Sequence, residues 1–260
     1  LGDLMDRFYP LQNHFNRYLT IGGFPELVLT DDDMYAQRIL REDVVDKVIK
    51  RDVLTLFNIR SPLLMERLFL YLCMNSTEIF NASTASKELE NTSVSTIDSY
   101  IRALEMSNLI YPAKPMAVGS KGSLKGRPKI FIADAAIRNA VLMIDDVLSD
   151  ERELGVIAET TVYKHIISFY ESSTAQVGYF RKAKDNQKEV DVVVELPREK
   201  ILCEVKYRNN SHISATDAIV ELCKDEVSKV TSAFLITKQL DNFGITKHDT
   251  VVPILRVPAI

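Results

Sequence analysis

Two apolar runs, Val190 to Val194 and Ile201 to Val205, flank the short segment Leu196-Pro197-Arg198-Glu199. Their β-branched content and length suit strands, and the proline and charges between them suit a turn. The runs therefore predict a hairpin inside a sheet that is covered on both faces. Such strands have little room for charge, yet Asp191, Glu204 and Lys206 lie within or at the end of them. A charge in that setting costs free energy unless it has a partner or a task. Glu204 and Lys206 are two residues apart and so share a face, and the hairpin brings Asp191 alongside them.

Two carboxylates and a lysine so placed are what metal-assisted cleavage of a phosphodiester needs. Asp191 and Glu204 would hold a hard divalent cation, magnesium or manganese, which keeps waters that can be activated. Lys206 would orient the attacking water or stabilise the crowded phosphate. The ordinary alternative is a cross-strand charge pair with no chemistry, because Glu-x-Lys is also common on sheet surfaces.

The surrounding elements narrow the choice. A helical run over residues 154–169 carries Glu159. Strands are expected near 176–182, 188–195 and 201–207, then a helix over 215–227 and a strand over 232–237. With the Asp, spacer, Glu-x-Lys pattern, this order resembles the PD-(D/E)XK nuclease superfamily, which includes restriction endonucleases and Holliday-junction resolvases. The resemblance implies a core of helix, three antiparallel strands, helix and strand. It also implies Glu159 as a further metal ligand and catalytic roles for Asp191, Glu204 and Lys206. Val190 stands where many members have proline.

The preceding residues read differently. Tyr35, Ile39, Val45, Val48 and Ile49 recur at helical spacing, as do Leu64, Leu68, Tyr71 and Leu72. A short helix around 83–89 follows, and Ser95-Thr96-Ile97-Asp98 reads as a capped helix start at about Ser95. Ile97, Ile101 and Leu104 form that helix's inner stripe. Strand-like residues 109–111, a Gly/Lys-rich loop and Lys129-Ile130-Phe131-Ile132 complete the order of a winged helix. Its wing would carry Lys114, Lys121, Lys125, Arg127 and Lys129, suited to phosphate contacts. The simpler reading of that loop is a solvated hairpin tip.

The formal net charge is −4, so DNA contact would depend on that local basic patch rather than on a global field. Cys73, Cys203 and Cys223 sit in apolar runs without zinc-ligand spacing and read as buried thiols of a reducing cytoplasm. His165 reads as a packed residue of an apolar helix. No membrane span is expected, and no P-loop occurs. The chain opens at Leu1 inside an amphipathic segment, from which a longer protein is expected.

A second resemblance rests on Tyr18-Leu19-Thr20-Ile21-Gly22-Gly23-Phe24-Pro25-Glu26, Arg51-Asp52-Val53, Lys129 to Asp134, Gly155 with Glu159, and Glu189-Val190-Asp191. In that order they resemble the C-terminal half of bacterial and archaeal AAA-type ATPases. The resemblance implies an α/β (α+β) chain: 1–60 a helical linker or docking segment, 61–140 winged-helix-like, 141–260 PD-(D/E)XK-like. It implies DNA and the chain's own N-terminal ATPase domain as partners, with a homo-oligomer left open. ATP would enter only through that upstream domain. Arg51 reads as an ion-pair partner at a helix end.

Overall fold

The computed structural model describes residues 2–57, 59–118, 126–144, 146–182 and 188–259. In chain order it has α1 (Gly2–Ile21), α2 (Pro25–Val28), α3 (Asp33–Leu40), a π-helical stretch Arg41–Val53 and α4 (Leu54–Leu56). There follow α5 (Pro62–Met74), α6 (Ala82–Glu88), α7 (Val94–Met106), β1 (Ile110–Pro115), β2 (Lys129–Ile132) and α8 (Ala135–Leu142). The remainder is α9 (Glu151–Tyr170), β3 (Gln176–Arg181), β4 (Glu189–Glu195), β5 (Lys200–Lys206), α10 (Ala218–Lys224), β6 (Ser232–Thr237), β7 (Gly244–Ile245) and β8 (Ile254–Pro258).

These elements form two compact units rather than three consecutive segments. A helical unit comprises Asn16–Pro112 and Lys129–Asp150, and a sheet unit comprises Leu1–Phe15, Ala113–Pro128 and Glu151–Ile260. The expected boundaries at 60/61 and 140/141 therefore fall inside the helical unit, and the proposed wing, Ala113–Pro128, falls in the sheet unit. Ala113–Pro128 belongs to the sheet unit because the end of β1 pairs there with β3, Lys114 opposite Gly178. Gly178 is required by that approach: a Cβ on it would lie 2.2 Å from the Lys114 carbonyl oxygen.

In the helical unit, Ile49, Val53, Met65, Leu68, Phe69, Leu72, Ile97, Leu104, Ile130 and Ile132 close one core. α7 begins at Val94, slightly before the expected Ser95, because Ser93 is its cap and accepts the Thr96 N–H at 3.2 Å. Ile97 and Leu104 are buried as expected, Ile101 is half-buried, and Tyr100 and Ala103 widen the stripe. Arg51 pairs with Asp52 at 3.1 Å.

Gly22 turns the chain out of α1 at φ +75°, and a Cβ there would meet Asp134 Oδ1 at 2.8 Å. Asp134 in turn caps α8 by accepting the Ala136 N–H at 2.9 Å. Asn139 donates from Nδ2 to the Leu19 carbonyl at 3.1 Å. Two distant signature motifs thus meet inside this unit, and the Gly22 turn has a packing role there.

In the sheet unit the strand order is β1-β3-β4-β5-β6-β8-β7, with β3-β4-β5 antiparallel and β6 and β8 parallel to β5. The hairpin closes through Leu196 N–H to the Glu199 carbonyl at 2.8 Å. Val192, Val193, Val194 and Leu202 are at most 1% exposed, which confirms burial on both faces. Each such side chain contributes about 1.5–3 kcal/mol, enough to offset one costly polar neighbour. The helix before β6 is shorter than the expected 215–227, and β7 and β8 extend the sheet past the expected elements.

Candidate functional site

The β4–β5 ladder pairs Glu195 with Lys200, Val194 with Ile201, Val193 with Leu202 and Val192 with Cys203. The next residues along the two strands are Asp191 and Glu204. On its other edge β4 bulges: Gly178 pairs with Val193 but Phe180 with Val190, so Asp191 and Val192 together oppose Tyr179. A bulge re-aims the side chain at the irregularity. Asp191 Oδ2 accordingly accepts the Val205 N–H of β5 at 2.8 Å. The bulge left no signature in the sequence, because no glycine or proline marks it in β4.

Glu204 is only 5% exposed. Its Oε1 accepts from Lys206 Nζ, and its Oε2 is buried with no hydrogen-bond partner among the described residues. Burial first and Asp191 second push its carboxyl up to about 8, against the attraction of Lys206, and Glu159 on α9 adds a further upward push. Burial pulls the Lys206 ammonium down, but Glu204 and Asp191 more than reverse this, leaving it above its ordinary value. Burial and then Asp191 raise the Cys203 thiol to about 12. The structure thus brings Asp191, Glu204 and Lys206 together and leaves Glu159 within electrostatic reach.

Among the described residues there is no group of three or more His, Cys, Asp or Glu placed to hold a metal. A magnesium ion needs fewer protein ligands, one or two carboxylates with water completing its shell. The buried Oε2 beside Asp191 suits such an ion in donor type.

The basic wing is only partly assembled. Lys114 and Arg127 are exposed. Lys121 and Lys125 lie outside the described residues. Lys129 is 4% exposed, held in a strand whose four residues are all buried, with Nζ 5.9 Å from the Phe131 ring centroid. That burial corrects its expected place as a phosphate contact. His165 is exposed rather than packed, and all three cysteines are free and buried.

The fold and site define a mixed α/β chain: a helical unit and a sheet unit with an acid, acid, lysine cluster on its central strands. The chain belongs to the family described as domain of unknown function DUF8612, which matches residues 12–148, more than half of its length. Residues 154–257 match a second domain of unknown function, DUF4143, found at the C-terminus of AAA-type ATPases. The gap between the two matches falls at the start of α9, where the helical unit ends. No curated protein matches the chain. No helix among the described residues is long and apolar enough to cross a membrane.

Proposed function

We propose that the sheet unit is a magnesium- or manganese-dependent phosphodiester-hydrolysing module acting on DNA, in the C-terminal region of an AAA-type ATPase. The observation that carries this reading is buried Glu204, with one oxygen on Lys206, the other unpartnered among the described residues, and Asp191 close enough to act on its charge. Stability alone does not account for an acid left in that state. Asp191 and Glu204 would hold the cation, and Glu159 would add a ligand or orient its water. The bound cation would supply a water activated for attack near neutral pH. Lys206 would hold that water or neutralise charge developing on the phosphate.

The helical unit is read as winged-helix-like. The order of α5, α6, α7, β1 and β2 supports this, as does the antiparallel bridge from Ile79, between α5 and α6, to Lys129. The exposed face of α7 carries Asp98, Ser99, Arg102 and Glu105, a mixed set that favours backbone contact over base reading. Lys114 and Arg127, exposed in the sheet unit, would make backbone contacts of that unit's own.

Supercoiled plasmid and branched DNA incubated with the purified chain and magnesium test the catalytic reading. Cleavage should fall on the order of 100-fold in Asp191→Asn and in Lys206→Ala. DNA left intact by the unmodified chain and both variants alike would end it.

A second reading, a catalytically silent platform that binds DNA or protein or regulates the ATPase, is favoured by the pairing of Lys206 with Glu204 and the absence of a three-ligand cluster among the described residues. Manganese titration separates the two: saturable binding lost in Asp191→Asn supports the metal site, and no binding supports the platform. A changed rate of ATP hydrolysis on adding the chain to its ATPase half would identify regulation.

A further inference from the structure

The parallel ladders align Glu204 of β5 with Leu235 of β6, and Leu235 with Arg256 of β8. Residues in register share a face, so Arg256 projects from the Glu204 side of the sheet, two strands and about 10 Å away. There the sheet unit has a cavity of about 220 Å³, lined by Leu235 and Arg256 together with His212, Thr246, Lys247 and His248. No carboxylate is among its described lining residues. His248 donates from Nε2 to the Ile213 carbonyl at 3.0 Å, which orders its ring at the wall.

Two polar atoms of this wall are orphaned. Arg256 Nε and Thr246 Oγ1 are buried with no hydrogen-bond partner among the described residues. A buried guanidinium donor without an acceptor is costly. With Lys247 beside them, these groups present donors and positive charge to one small space. Forked guanidinium N–H groups match the oxygens of a tetrahedral oxyanion. At ~30 Å³ per water the cavity has room for about seven waters, more than one such group needs.

We infer that this cavity is a binding site for a phosphate group, held by Arg256, Thr246 and Lys247. It is distinct from the Asp191–Glu204 pair and does not depend on whether that pair cleaves anything. The phosphate could belong to a nucleic-acid backbone or be free, and the chemistry of recognition is the same.

The test titrates the whole 260-residue chain, in EDTA, with inorganic phosphate, following the Arg256 Nε–Hε resonance and the heat of binding. The resonance should shift saturably, and Arg256→Gln and Lys247→Gln should each weaken binding about ten-fold. Lys247 is exposed, so its variant carries the test should Arg256→Gln unfold. A short single-stranded oligonucleotide that displaces phosphate identifies a backbone source, and one that does not compete identifies free phosphate. Either result keeps the site. No Arg256 shift with phosphate, or unchanged affinity in every folded variant, overturns it.

Discussion

Glu204 and Glu221 both belong to the sheet unit and both meet lysine, yet their carboxyl groups are displaced in opposite directions. Glu221, on α10, accepts from Lys188 and from Lys182 at 2.9 Å. Those hydrogen bonds, Lys188 first, hold it below the ordinary carboxylate range. Glu204 has one lysine, almost no water and a second acid nearby, and it rises to about 8. The surface pair ties the flanks of β3 and β4 to α10, and stability explains it. The cost of the buried pair is offset by its apolar neighbours, and the cation proposed for the site would explain why it is kept.

The largest effect should come from removing the cation beside Glu204. Lys206→Met removes the attraction that holds the Glu204 carboxyl down, so stability at pH 10, where that carboxyl is ionised beside Lys206, should fall on the order of 3 kcal/mol. At pH 5 Glu204 is protonated and the loss should be much smaller, with only the attraction of Asp191 for Lys206 given up. Urea melts at both pH values check this, and equal losses would break the comparison.

Glu204→Gln should act in the other direction. Because the folded value lies above the ordinary 4.5, the folded chain holds a proton that the unfolded chain has lost between about 4.5 and 8. Stability of the metal-free chain therefore falls as pH rises through that window. Glu204→Gln should flatten the slope and raise stability at pH 8 by roughly 1–3 kcal/mol, the scale of one unsatisfied buried group. Denaturation in EDTA across the window measures it.

Glu221→Gln should cost the least, no more than about 1 kcal/mol, because solvent screens that cluster. Its lowered carboxyl contributes above the ordinary value and loses that contribution as pH falls through its folded value. The variant should thus be weaker near neutrality and equal to the unmodified chain in acid, as parallel melts at pH 7 and pH 3 would register.

Much of the site was legible because the signals were local. Apolar runs on either side of Leu196-Pro197-Arg198-Glu199 gave the hairpin, and strand periodicity put Glu204 beside Lys206. The β4 bulge was not legible, since it arises from how β3 and β4 pair over distance rather than from residue type. Nor was β8, whose Arg256 gains meaning only in register with Leu235. Two features of the helical unit were not legible either. Lys129 sits in a four-residue strand buried throughout, which charge counting cannot foresee, and the Gly22 turn answers to Asp134, over a hundred residues away.

The central claim is that Glu204 is an acid held out of its ordinary state in readiness for a cation. A carboxyl-detected 13C NMR titration of Glu204 tests it most directly, first in EDTA and then with saturating magnesium. The account predicts a midpoint near 8 without metal that falls clearly once magnesium is present. A midpoint at or below the ordinary 4.5, unmoved by magnesium, would contradict it.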